Sequence, residues 1–144
     1  MIKYDSIYEG FSLDVPQLFS EWLKQVIKKE NGVLGNIQYV FCSDEYLLDV
    51  NLKYLHHDYF TDIITFPFSE DDKIISGEIY ISIDRVRENA KKNNVLFVQE
   101  LARVIVHGVL HLLGYEDYSS EQKKEMRQKE DYYLNLLGGQ ENDF

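Results

Sequence analysis

The sequence predicts an α+β fold: a small mixed β-sheet covered by helices, with one buried helix at its centre. Strand-like and helix-like runs are interleaved along the chain. Two β-rich runs, at 61–68 and 74–82, face each other across a short polar turn and read as a hairpin. The run Leu96–Leu113 has helical spacing and is apolar on nearly every side, the signature of a helix inside a core.

Taken in order, Ile2–Tyr4 and Ile7–Phe11 are short β-compatible pieces. Asp14-Val15-Pro16 reads as a helix start, with Asp14 near the cap and Pro16 in the first turn. Leu18, Phe19, Trp22, Leu23, Val26 and Ile27 recur at steps of three and four, so this helix runs to about Glu30, and Asn31-Gly32 ends it. Asn36–Cys42 is a strand. Ser43-Asp44 caps a second helix with Tyr46, Leu47, Val50, Tyr54 and Leu55 as its apolar contacts, and His56–Phe60 is a loop whose His56-His57 pair is expected to be solvated. Thr61–Phe68 is a strand ending at an edge or bend, because Pro67 has no N–H to give a ladder. A polar turn, Ser69–Lys73, leads into the strand Ile74–Ser82. Asp84–Asn93 is a charged helix, Leu96–Leu113 the central one, and Ser119 or Ser120 caps a last helix to about Leu137, followed by Gly138-Gly139.

A chain of 144 residues is expected to form one domain, 1–144, with a sizeable core. Its apolar runs fall short of the roughly 20 residues that span a bilayer. Met1–Asp5 lacks the basic-then-apolar form of a signal peptide, so a cytoplasmic protein without membrane contact is expected. Cys42 is the only cysteine, which excludes an internal disulfide and a thiolate metal cluster. The net charge of −10 argues against broad, nonspecific binding of nucleic acid. It leaves room for a local site, since a bound divalent cation is itself a large positive charge.

The polar residues of Leu96–Leu113 are Gln99, Glu100, Arg103, His107 and His111, in one narrow stripe. A polar stripe on a buried helix must face a cleft or find partners inside. His107 and His111 stand one turn apart on the same face, a spacing that lets two imidazoles reach one ion. Gly108 costs about 1 kcal/mol against alanine in a helix, so a strand or substrate is expected close to the backbone there. Gly114 is a left-handed cap, and the turn Tyr115-Glu116-Asp117 can carry a carboxylate back to the histidines. Either Glu116 or Asp117 is a candidate third ligand; two histidines and a carboxylate leave zinc an open position. Peptidases of the His-Glu-x-x-His type put their base directly after the first histidine. Here that position is Gly108, which disfavours such chemistry.

From His107 to Asp117 the sequence resembles the YbeY family of bacterial ribosomal-RNA maturation endoribonucleases, whose pattern is His-Gly-x-Leu-His-Leu-x-Gly-Tyr-Asp-His. Specified positions through Tyr115 are identical; Glu116 replaces Asp, and Asp117 stands where the family has its third histidine. A second block, Val50-Asn51 through Pro67, matches at Asn51, Tyr54, Asp58, Thr61, Asp62, Phe66 and Pro67, with Leu55 in place of the family's arginine and Phe60 in place of its proline. Lys53 and His56 are neighbours able to stand in for that arginine. Gly77–Ser82 and Glu100-Leu101-Ala102 also resemble family segments, so the likeness covers most of 44–117.

The resemblance implies a mixed sheet with helices, one zinc on His107, His111 and Asp117, and single-strand endoribonuclease activity in ribosomal-RNA maturation. It also implies, as partners, ribosomal RNA and the small ribosomal subunit or its proteins. Such an ion would polarise a phosphate oxygen or lower the pKa of a water. Glu116 is the candidate proton carrier. Arg103, and Arg85, Arg87, Lys91 and Lys92 on the preceding helix, are candidate phosphate contacts. Two alternatives stay open: a metal hydrolase acting on a small amide or ester, and a non-catalytic assembly factor that keeps metal for stability.

Overall fold

The computed structural model describes residues 1–68, 71 and 73–138. Of the polar turn expected at 69–73, Ser69, Glu70 and Asp72 lie outside the described residues, as does Gly139. Four strands form one mixed sheet: β1 (Ile2–Ser6), β2 (Val33–Cys42), β3 (Ile63–Pro67) and β4 (Ile74–Ser82), in the order β1-β2-β4-β3. β1 and β4 run parallel to β2, and β3 is antiparallel to β4. The expected hairpin is this β3–β4 pair, in register from Ile63 opposite Ile81 to Pro67 opposite Gly77. Pro67 sits at the end of an edge strand, where a missing N–H breaks no interior ladder.

Among the described residues five α-helices cover the sheet: α1 (Pro16–Lys29), α2 (Asp44–Val50), α3 (Ile83–Lys92), α4 (Phe97–Leu112) and α5 (Ser120–Gly138). The period of two along the strands sends their side chains to two layers. Ile37, Tyr39, Phe41, Ile79 and Ile81 meet α1, α3, α4 and α5 in the larger core. Ile64, with Phe66 and Tyr80 beside it, meets Leu47 and Val50 of α2 on the other face. Two aromatic polar groups inside the large core are paired. The Trp22 indole N–H donates to the Tyr133 carbonyl at 2.8 Å, and the Tyr39 hydroxyl to the Ile105 carbonyl at 2.7 Å. Among the described residues no single helix is long and apolar enough to cross a membrane.

Several local expectations need correction. Ile7–Phe11 is not a strand: a turn at Ser6-Tyr8, where the Ser6 hydroxyl accepts the Tyr8 N–H, and Gly10 at φ 80° redirect the chain. Asp14 does not cap α1; Val15 holds that position in a left-handed conformation, φ 48°, without a side-chain capping bond. β2 begins at Val33 rather than Asn36, because its first residues pair with the start of β4 before a register irregularity. Ser43 does cap α2, accepting the Tyr46 N–H at 3.1 Å. Beyond Val50 that helix widens into a π-helical turn, Asn51–Leu55, which stops at His56 in a left-handed conformation.

The glycine inside α4 is explained by a strand. A Cβ on Gly108 would meet two carbons of Ile79 at 2.9 Å and one of Ile63 at 3.1 Å, so it is β3 and β4 that lie close to the helix backbone. Gly108→Ala gains about 1 kcal/mol of helix propensity but overpacks this contact, at a cost of about 1–3 kcal/mol. A net loss of up to about 2 kcal/mol is therefore expected in urea unfolding. A midpoint above that of the parent protein would contradict the close approach.

Candidate metal centre

The site begins with the way α4 stops. Gly114 takes φ 108°, the Tyr115 N–H donates to the Leu110 carbonyl at 3.0 Å, and the Gly114 N–H to the His111 carbonyl at 3.0 Å. This is a Schellman ending with glycine at its left-handed position. It turns the chain back along the histidine face. Tyr115 then anchors the turn by donating its hydroxyl to Glu30 Oε1 at 2.5 Å, and Lys129 and Tyr133 donate to the other oxygen of the same carboxylate.

Asp117 is delivered to the two histidines. Its Oδ2 lies 3.5 Å from His107 Nε2 and 3.6 Å from His111 Nε2, and ligand atoms of the three residues all fall within 4.8 Å of one another. Ligands placed tetrahedrally at about 2.1 Å from an ion stand about 3.4 Å apart. The two edges that Asp117 makes match that spacing, and the donor types suit a divalent ion. The histidine rings meet edge to face, 4.6 Å between centroids. Of the two acids in the turn, Asp117 is the one that stands beside both histidines, and Glu116 is exposed on the rim.

A carboxylate on α5 completes the arrangement. The His107 Nδ1–H donates to Glu130 Oε2 at 2.6 Å; a carboxylate only accepts, which leaves Nε2 to face Asp117 with its lone pair. Glu130 is 5% exposed, and its other oxygen takes the Arg103 guanidinium at 2.7 Å. The second arm of Arg103 reaches Asp131, also at 2.7 Å. Burial pushes the His107 pKa down, but the Glu130 hydrogen bond and the charges of Glu130, Asp62 and Asp117 outweigh it, and the pKa ends above its ordinary value. Burial and the neighbouring His107 lower the pKa of His111. Burial raises that of Asp62, which faces the histidines from the start of β3.

These groups line one cavity of about 680 Å³ between β3, α4 and α5. Among the described residues five carboxylates line it (Asp62, Glu100, Glu116, Asp117 and Glu130) against two arginines, Arg103 and Arg127. Such a concentration of negative charge favours a bound cation. Arg85, Arg87, Lys91 and Lys92 do not line it. Arg85 pairs with Asp44 at 2.8 Å, and Arg87 lies against Tyr8 and Phe97. Neither Lys53, paired with Asp49, nor His56 reaches the cavity, whereas Leu55 does. Glu130 and Asp62 carry structural parts that sequence reasoning did not assign. Glu130 was visible in principle, because it interrupts the buried stripe Met126, Tyr133, Leu137 of α5 at helical spacing. Losing a supporting partner of this kind costs about 10- to 100-fold in metal affinity. Glu130→Ala is expected to weaken divalent-metal binding by that factor in a competition titration, with helix content unchanged; undiminished affinity would remove Glu130 from the site.

The profile of the family described as Endoribonuclease YbeY matches residues 6–138. An Endoribonuclease YbeY of Amoebophilus asiaticus is 51% identical over 124 residues, which is 86% of this chain and 84% of that protein. One from Flavobacterium psychrophilum is 49% identical over 143 residues, covering 99% of this chain and 100% of that protein. Among solved structures, the solution structure of a Thermotoga maritima protein superposes with a TM-score of 0.71 at 31% identity, covering 99% of this chain and 93% of the other. Full-length likeness of this degree, together with the same mixed sheet and helices, places the chain in one family: it belongs to the Endoribonuclease YbeY family.

Proposed function

We propose that this chain is a metal-dependent endoribonuclease that cuts single-stranded RNA during ribosomal-RNA maturation, holding one zinc ion through His107, His111 and Asp117. The observation that carries the reading is the trio of ligand atoms within 4.8 Å of one another, with both Asp117 edges near tetrahedral spacing, at the wall of a cavity. The relatives named as endoribonucleases support the reaction class. Zinc suits two imidazoles and a carboxylate and leaves a position open. Family membership supports ribosomal RNA and the small ribosomal subunit as partners, and the cytoplasm as the place of work.

When bound, the ion supplies a Lewis acid for a phosphate oxygen and lowers the pKa of a water. The protein does the rest. Glu130 holds the His107 ring in the tautomer that exposes Nε2. Arg103 is committed to Glu130 and Asp131, so its proposed part is bracing that carboxylate rather than gripping a phosphate. Glu116, exposed on the rim beside Asp117, is the proposed proton carrier: its carboxylate would take the proton released by the attacking water and pass it to the leaving ribose oxygen. Gly108, packed under Ile79, offers no base of the peptidase kind.

The test is metal content together with cleavage of single-stranded RNA by the parent protein and His111→Ala. The variant is expected to lose bound metal and to lose cleavage by more than the roughly 100-fold that a missing supporting partner costs. Parent-rate cleavage by metal-free His111→Ala would overturn the mechanism. Tight metal binding without RNA cleavage by the parent protein would point to the assembly-factor alternative, which Leu55 on the cavity wall favours.

A further inference from the structure

We propose that the stacked His57–Tyr59 pair on the wall of the same cavity is a base-stacking subsite, so that single-stranded RNA is held mainly by its bases rather than by its phosphates. The inference rests on the endoribonuclease reading and names how that site takes its substrate.

The first support is charge. Among the described residues five carboxylates line the cavity against two arginines, and one of the two, Arg103, is already engaged. Arg103 is bound to Glu130 and Asp131, which leaves Arg127 as the one further arginine on the wall among the described residues. Among the described residues, no lysine lines the cavity. Leu55 contributes an apolar wall instead. A polyanion gains little from such a surface apart from the ion itself.

The second support is that the platform is built in advance. Asn51, 1% exposed, donates its side-chain N–H to the Tyr59 carbonyl at 2.9 Å, and its own carbonyl accepts the His57 N–H at 3.1 Å. One buried residue thus pins both ends of the short segment that follows the π-helical turn. The two rings lie 5.1 Å apart at 20°, and the Tyr59 hydroxyl is 3.1 Å from His57 Nδ1. Tyr59 is nonetheless 56% exposed. The pair lines the cavity with the metal-site residues, and Tyr118, 82% exposed, lines it too. Ordered, exposed aromatic rings beside a nuclease centre are what unstacked bases bind, and every base has a π-face to offer.

Zinc-loaded protein and a uridine-rich oligoribonucleotide test this, using cleavage kinetics, binding by fluorescence anisotropy, and a matched oligomer with abasic positions. Tyr59→Ala is expected to raise KM about 5- to 100-fold with kcat little changed, the range that loss of one stacked base gives. Tyr59→Phe, which keeps the ring, is expected to stay near the parent value. The abasic oligomer should bind more weakly than the intact one by a similar factor. The plot of log affinity against log salt should have a slope no steeper than about −1.5, corresponding to about two phosphate contacts. Cleavage that proceeds with an unchanged KM in Tyr59→Ala, equal binding of the abasic oligomer, or a steep salt slope would overturn the stacking subsite and leave the endoribonuclease reading intact. No RNA cleavage by the parent protein would overturn that reading and this inference with it.

Discussion

A buried helix that carries charge is the constraint on which the rest of this protein depends. α4 is apolar where it meets the sheet, α1 and α3, yet one stripe holds Glu100, Arg103, His107 and His111. Removing such groups from water is costly unless they are partnered. The stripe is therefore satisfied in two ways. Glu130 and Asp131 of α5 take Arg103 and one nitrogen of His107. The cavity takes the Nε2 atoms of His107 and His111 and leaves them facing Asp117.

The sheet supports this by coming close. A Cβ on Gly77 would stand 2.5 Å from the Phe66 carbonyl oxygen and 2.9 Å from Leu112, and one on Gly108 would press into Ile79. The two glycines let α4 settle onto β3 and β4, so that Asp62, at the start of β3, faces the histidines. At the far end, Glu30 gathers Tyr115, Lys129 and Tyr133, tying the end of α1 and the middle of α5 to the turn that carries Asp117. Packing and catalytic geometry are thus the same contacts seen from two sides.

Much of this was legible before any coordinates. The period of α4 gave its limits to within a residue, and the glycine after Leu113 gave the turn. The β3–β4 hairpin followed from alternation and a short polar connection. What escaped were features without a local period. Val15 rather than Asp14 heads α1, in a left-handed conformation without a side-chain capping bond. The Glu130–His107 bond spans 23 positions, and nothing near either residue announces the other. His56-His57 lies in an exposed loop as expected, but the bonds from buried Asn51 and the left-handed His56 that order His57 and Tyr59 there had no local signal.

Asp117 is the residue on which the account turns. A carboxylate in place of a third imidazole leaves the site one charge more negative and makes an oxygen the third donor. X-ray absorption at the zinc edge of the loaded protein, alongside Asp117→Ala, reads that donor set directly. The expected spectrum shows two imidazoles with the remaining ligands oxygen, and the variant loses one of the protein's donors and much of its affinity. A site with three imidazoles, or one whose spectrum and metal content are untouched by Asp117→Ala, would contradict the assignment.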